Sequence, residues 1–223
     1  MMSFKPLVGC LLATFFISQN CFAQSYSFQH QVKMNIAMYE GEEQKQSMDY
    51  LFLFPEEGDY YGAKMSMGGV QAKAIFDMGK MIMTTLMDQG GMKMGMQYDL
   101  NKTLEAMGEE GENDSGNITK TGDTKDILGY KCYEYTVNTN DGSHAQIWVT
   151  PELEMANVYT GFAALNKKQK IINTDMPAGF LMELTSWPKG KDSSEKFEMK
   201  AIAINLNQAS SISSEGYSIM KLN

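Results

Sequence analysis

The chain has 223 residues and a formal net charge of −8, and all 19 of its basic residues are lysines. Nucleic-acid binding and bidentate phosphate recognition both favour guanidinium groups, so the absence of arginine argues against each of them. An acidic chain is also a poor electrostatic partner for anionic membrane surfaces. Hydrophobic residues make up 43% of the sequence, which is enough for one well-buried domain.

Residues 1–23 are predicted to be a secretory signal peptide. A single lysine, Lys5, precedes an apolar stretch at residues 7–17, and a small residue, Ala23, marks the expected cleavage point. The apolar stretch is shorter than the roughly 20 residues that a membrane-spanning helix needs, so no transmembrane span is expected. The protein is therefore predicted to be exported to the periplasm or the extracellular space.

Lipid anchoring is an alternative that the same region leaves open. Cys10 follows the sequence Leu-Val-Gly, which resembles a lipoprotein-processing box. Processing at Cys10 would leave most of the apolar stretch in the mature chain, which favours cleavage after Ala23 instead. An association with the outer membrane stays open on this alternative.

Residues 24–223 are predicted to form a single mainly β domain. Apolar and polar side chains alternate at residues 26–38, 48–54 and 60–67, as they do in half-buried strands. Residues 70–87 also fit a helical period. Two strands with a break near residues 77–80 are preferred there, because Gly79 and two adjacent threonines weaken a helix.

Methionine is concentrated between Met65 and Met96, where nine of the 32 residues are methionines. On a strand over residues 92–100, Met92, Met94 and Met96 would all lie on one face. Thioethers are flexible and polarizable, and they also select Cu(I) among metal ions. The pattern therefore predicts either an adaptable apolar surface or a soft-metal site.

The second half of the chain begins with residues 105–126, which are acidic, rich in glycine and predicted to be a flexible loop. A helix is predicted at residues 156–168, where apolar residues recur at helical spacing. The remaining segments alternate as strands, and their predicted bounds are 130–138, 144–150, 180–187, 196–206 and 217–222. The whole pattern predicts about ten antiparallel strands and one helix.

Residues that commonly carry chemistry are scarce. Cys132 is the one cysteine after residue 23, and it lies in an apolar and aromatic string that favours a buried thiol. The two histidines, His30 and His144, fall on different predicted strands. No nucleophile elbow, phosphate loop or dinucleotide fingerprint is present. We therefore expect a protein that is not an enzyme and that has no cofactor.

Two stretches carry a family resemblance: TGDTKDILGYKCYEYTV at residues 121–137 and IWVT at residues 147–150. They resemble an exported bacterial family known as domain of unknown function 4412, which is similar to the LolA/LolB-like group of lipoprotein carriers. The ending EGYSIM at residues 215–220 is similar to the final strand of that group. The resemblance implies an incomplete antiparallel barrel, a half-barrel, with the helix against its concave face, and a concavity that receives acyl chains.

Three hypotheses follow for the function. The first is a half-barrel that binds a lipid, an acyl chain or an apolar partner segment, and its candidate lining residues are Phe76, Met81, Met83, Met94, Met96 and Trp148. The second is a Cu(I)-binding protein that uses Met92, Met94 and Met96. The third is a structural or interaction domain whose cavity is filled by its own side chains. The sequence does not determine the oligomeric state.

Overall fold

The computed structural model describes residues 24–102, 117–139, 142–153, 155, 177–188 and 194–222. The predicted signal peptide at residues 1–23 and the predicted helix at residues 156–168 lie outside the described residues. No helix within the described ranges is long and apolar enough to cross a membrane.

The described residues form fourteen β-strands. In chain order the strands are β1 Ser25–Phe28, β2 His30–Glu40, β3 Glu43–Phe54, β4 Tyr60–Met67, β5 Val70–Asp77, β6 Ile82–Gln89, β7 Met92–Asp99, β8 Asn117–Ile127, β9 Tyr130–Asn138, β10 His144–Thr150, β11 Phe180–Trp187, β12 Glu195–Asn205, β13 Ser210–Ser213 and β14 Ser218–Leu222. Helical residues 100–102 follow β7, and the Asp99 carboxylate accepts hydrogen bonds from the backbone amides of Asn101 and Lys102.

Twelve strands belong to one open sheet in the order β14-β7-β6-β5-β4-β3-β2-β12-β11-β10-β9-β8. The two edge strands, β14 and β8, do not pair with each other in the described structure, so the sheet is not closed. Strands β1 and β13 form a separate two-stranded sheet. The predictions of a mainly β fold and of an incomplete barrel are confirmed.

The prediction of a wholly antiparallel sheet is wrong at one position. Strand β14 runs parallel to β7, with Met220 opposite Met96. The pairs formed by all other neighbours in the large sheet are antiparallel. Alternation of side chains marks a strand but not its direction or its neighbour, so the sequence pattern alone could not distinguish the two arrangements.

The predicted acidic loop at residues 105–126 is also wrong in part, because residues 117–126 belong to strand β8. This edge strand is polar on both faces and mostly exposed, so it lacks the alternation that marks a buried strand. Its register with β9 shifts between Lys120 and Thr124, at a bulge that contains Gly122 with a φ of 98°. Residues 105–116 lie outside the described residues.

Residues 70–87 form two strands, as preferred from the sequence, with a turn at residues 78–81 between β5 and β6. The turn is held by the backbone amides of Met78 and Gly79, which both donate to the carbonyl oxygen of Asp59. The predicted first strand, at residues 26–38, is split at Gln29, whose amide donates to the carbonyl oxygen of Phe54. This split, strand β8 and the unpredicted serine-rich β13 raise the strand count from about ten to fourteen.

The large sheet packs apolar side chains on both of its faces around β3. Phe52 and Phe54 belong to the cluster on the concave face, whereas Leu53 belongs to a second cluster on the outer face. Phe28 of β1 and Ile212 of β13 cover this outer cluster. Burial of each such side chain contributes about 1.5 to 3 kcal/mol to stability.

A glycine permits this covering layer to approach the sheet. A Cβ atom at Gly62 of β4 would lie 2.8 Å from the Phe28 ring and 3.0 Å from Ile212. Any side chain at position 62 would therefore push the small sheet away from β4. The small and large sheets can approach this closely because Gly62 has no side chain.

Cys132 is completely buried on β9, as predicted. Burial raises the pKa of its thiol to about 11, so the reactive thiolate is scarce at neutral pH. Cys132 is therefore a core residue that contributes to packing.

Candidate functional site

The concave face of the sheet encloses an apolar cavity of about 390 Å³. Fourteen residues from β2, β3, β4, β5, β11 and β12 line it, and central members are Met34, Phe52, Tyr61, Phe76, Phe180 and Met199. Strands β5 and β11 lie five places apart in the sheet order, yet both contribute to the lining. The sheet therefore curls around the cavity.

The space exists because two alanines face each other across neighbouring strands. Ala63 of β4 lies directly opposite Ala74 of β5, and both line the cavity. The next pair on the same face, Tyr61 opposite Phe76, is large. Directly opposed side chains on one face are immediate neighbours. The small pair therefore leaves an unfilled volume beside a rigid aromatic wall.

The aromatic wall is stacked. The rings of Tyr61 and Phe76 lie 4.5 Å apart between centroids with an interplanar angle of 10°. Phe54 and Phe180 meet edge to face nearby, with centroids 5.6 Å apart. Aromatic pairs in these geometries contribute about 0.5 to 1.5 kcal/mol beyond their buried area. This wall is preformed.

One polar atom of the wall residues has no hydrogen-bond partner in the described part of the chain. The Tyr61 side chain is buried, and its hydroxyl makes no hydrogen bond to any described group. Burial raises the pKa of this hydroxyl, so it stays protonated and remains a hydrogen-bond donor. A buried hydroxyl without a partner costs about 1 to 3 kcal/mol. This donor lies inside the protein and does not face the open cavity.

Of the six predicted lining residues, the structure places one in the cavity lining and the others outside it. Phe76 lines the cavity, and Met83 of β6 lies directly opposite it on the same face. Met94 and Met96 of β7 continue this face towards the edge strand β14. Met81 lies in the turn before β6, with a φ of 54°, and does not line the cavity. Ligand contact by these residues stays a prediction.

Trp148 packs against the cluster on the concave face but is not among the residues that line the cavity. It stands opposite Glu134 and Glu183 on the neighbouring strands, and the Lys125 ammonium lies 4.2 Å from the centroid of its ring. Lys125 also forms an ion pair with Glu183. Trp148 was predicted as a lining residue because it is aromatic and lies in a strand, and this pattern does not specify how far along the sheet from the cavity a side chain lies.

Most of the lining was not predicted from the sequence. Met34, Tyr50 and Phe52 lie in strands that the sequence located correctly, and their alternation places them on one face. The signal was therefore present in the aromatic residues at positions 50, 52 and 54. The opposed pair Ala63 and Ala74 gives no such signal, because their meeting depends on strand register.

A polar network around one buried carboxylate joins residues within and beside the stretches that carry the family resemblance. Glu134 is 6% exposed, and its carboxylate accepts hydrogen bonds from the Thr121 hydroxyl, at 2.5 Å, and from the Gln146 side-chain amide. Burial alone would raise the pKa of Glu134, but these hydrogen bonds outweigh it and hold the pKa below its usual value. The network ties β8 and β10 to β9.

Replacing Glu134 with glutamine should destabilise the protein by about 1 to 3 kcal/mol at neutral pH, because charge-assisted hydrogen bonds are lost. A lowered folded-state pKa gives stability that is present above the unfolded value and is lost as pH falls through the folded value. The difference between wild type and variant should therefore shrink below about pH 4. Urea unfolding between pH 3 and 7 measures it.

Glu215→Gln, at an exposed carboxylate, is the matched control and should show no comparable difference. A Glu134→Gln variant as stable as wild type at pH 7 would contradict the structural role of the network.

No group of three or more histidine, cysteine, aspartate or glutamate side chains that could hold a metal ion occurs within the described ranges. The predicted Cu(I) site uses methionine sulfur atoms, which are not among these four side-chain types, so this observation does not test it. In β7, Met92 and Met94 are 63% and 44% exposed, while Met96 is partly buried.

Fold and site together define an open, mainly β half-barrel with an apolar cavity on its concave face. The family model described as a domain of unknown function, DUF4412, matches residues 28–182, and the chain belongs to this family. The resemblance predicted from residues 121–137 and 147–150 is thereby confirmed. None of the curated proteins compared with the chain matches it.

Two solved structures are similar to this chain at low sequence identity. One is PNGF-II, with a TM-score of 0.46 and 10% identity over 88% of this chain, which spans 31% of the length of the PNGF-II chain. The other is a LolA superfamily protein from Nitrosomonas europaea, with a TM-score of 0.33 and 8% identity. That comparison covers 81% of this chain and 87% of the other.

Proposed function

We propose that this protein is an exported, non-enzymatic binding protein that holds a lipid or acyl chain in the cavity of its half-barrel. The observation that carries the proposal is the cavity itself, with about 390 Å³ of space and a lining of aliphatic, thioether and aromatic side chains. Its volume lies within the range of about 300 to 1,000 Å³ that is usual for ligand pockets.

The chemistry of the lining favours binding over catalysis. Among the described lining residues, the two tyrosines supply the only side-chain polar atoms, and no carboxylate, imidazole, thiol or amine is present. A general acid or base needs such a group within hydrogen-bond reach of its substrate. The cavity thus offers burial of apolar surface, worth about 25 cal/mol per Å².

The ligand that suits this cavity is a hydrocarbon chain. It fills the space beside Ala63 and Ala74, and thioethers such as Met34 and Met65 adjust to chains of different shape. Acyl chains have this form, and the family resemblance implies the same class of ligand.

Fluorescence of N-phenyl-1-naphthylamine tests the proposal on the purified, delipidated protein. The probe should bind one apolar site with micromolar affinity, and dodecanoic acid should displace it. Absence of probe binding, or a failure of the acid to displace it, would contradict acyl binding and favour a self-filled structural cavity.

The state of the Tyr61 hydroxyl is tested separately by Tyr61→Phe. Because the variant lacks a buried donor that has no partner among the described residues, it should gain up to about 1 kcal/mol in urea unfolding and keep the affinity of wild type for dodecanoic acid. Tyr39→Phe, which removes a hydroxyl outside the cavity lining, is the control and should change neither quantity. A Tyr61→Phe variant that is less stable than wild type by about 1 kcal/mol would mean that the hydroxyl has a partner.

A further inference from the structure

We propose that four methionines at the β14 edge of the sheet form a binding site for a single Cu(I) ion. The four are Met87 of β6, Met94 and Met96 of β7, and Met220 of β14. They belong to three adjacent strands, and the site lies outside the cavity lining. The inference is therefore independent of acyl binding.

The strand register brings these residues together. Met94 lies directly opposite Met87, and Met96 lies directly opposite Met220. Met94 and Met96 are two positions apart on one strand, so all four side chains project from the same face of the sheet. Met220 is more than 120 positions from Met96 in the sequence, and only the parallel pairing of β14 with β7 makes them neighbours.

The spacing allows three sulfur atoms at a time to converge on one ion. Directly opposed Cβ atoms lie about 4.5 to 5.5 Å apart, and residues two apart on a strand lie about 7 Å apart. Met87 and Met220 lie at opposite ends of the group, so Met94 and Met96 bind the ion together with one of these two, and the three rotatable bonds of each side chain allow the sulfur atoms to meet. The hydroxyl of Tyr98 donates to the Met96 sulfur over 3.5 Å and fixes its direction while leaving a second lone pair.

The exposure of two of these methionines distinguishes them from core residues. Met94 is 44% exposed and Met220 is 64% exposed, so packing against the core does not account for either, while Met87 and Met96 are partly buried. An ion from solution can reach the two exposed side chains. Neutral thioether ligands suit a soft monovalent cation and bind hard divalent ions poorly. The ligand class is therefore Cu(I), with Ag(I) as its redox-stable substitute.

The structure changes the membership of the metal site that the sequence suggested. Met92 lies at the start of β7, opposite Gln89, and no methionine stands directly across from it. Met87 and Met220, which the sequence did not associate with Met94 and Met96, take its place. The alternation along β7 was enough to predict Met94 and Met96. Met87 and Met220 can be identified only from the register of β6 and β14 with β7.

Metal titration of the purified protein tests this site. Cu(I), kept reduced with ascorbate, should bind with a stoichiometry of one in native mass spectrometry and in competition with bicinchoninate. Ag(I) should bind at the same stoichiometry. The double variant Met94→Leu, Met220→Leu should lose at least about 100-fold in Cu(I) affinity, because leucine preserves packing but removes sulfur.

Met38→Leu is the matched control. Met38 is 50% exposed on β2, and its cross-strand neighbours are Gln46 and Phe197. This variant should bind Cu(I) as wild type does. Wild type without a bound ion, or a double variant that equals wild type in affinity, would overturn the proposal. Circular dichroism and naphthylamine binding, which the double variant should retain, establish that its fold is intact.

Discussion

Replacing Ala74 with phenylalanine should abolish binding of acyl ligands while leaving the protein folded. Ala74 lies opposite Ala63 on the concave face, and this small pair creates the space in the cavity. A phenyl ring at position 74 would occupy the volume that the hydrocarbon chain needs. We expect the affinity for dodecanoic acid to fall by at least about 100-fold, since most of the buried apolar area is lost.

The same substitution should not unfold the chain. The ring would enter existing empty space beside Phe76, so its burial offsets much of the strain that overpacking causes. A thermal melt establishes the fold, and naphthylamine fluorescence measures binding. Ala72→Phe is a useful control, because Ala72 lies on the same strand and face but outside the cavity lining. Unchanged acid affinity in Ala74→Phe would show that acyl chains do not bind between these strands.

Phe54→Ala should produce the largest loss of stability, about 3 to 5 kcal/mol in urea unfolding. Phe54 is completely buried and packs edge to face against Phe180, and it connects β3 with β11 across the curl of the sheet. Its removal leaves a cavity in the cluster that also contains Phe52 and Met182. The concave core therefore depends on this contact.

The control for this variant is Leu128→Ala, at a residue that is 47% exposed in the turn between β8 and β9. This variant should change stability by less than about 0.5 kcal/mol. A loss below about 1 kcal/mol in Phe54→Ala would mean that β3 and β11 do not pack together as described.

The strands with one apolar face were predictable from alternation. Strands β4, β9 and β11 begin and end where the pattern indicates, and the burial of Cys132 follows from its apolar surroundings. Polar strands were not predictable in this way. Strand β8 is exposed on both faces and is held mainly by backbone pairing with β9, which leaves no periodic signal in side chains.

The candidate sites could not be predicted in full, because they depend on the register between strands, which the sequence of a single strand does not contain. Phe76 could be proposed because it is aromatic, but the space beside it exists only where Ala63 meets Ala74. Likewise, Met96 and Met220 are neighbours only through the parallel β7–β14 pair. Residue type indicates which side chains suit a ligand, whereas register decides which of them meet.

The central claim is that an acyl or lipid molecule occupies the cavity, and native mass spectrometry of protein purified without detergent tests it most directly. We expect wild type to carry one additional mass that corresponds to a lipid or fatty acid and dissociates on activation. Ala74→Phe, prepared in parallel, should lack this mass. An empty wild-type protein, or an equal bound mass in both proteins, would contradict the account.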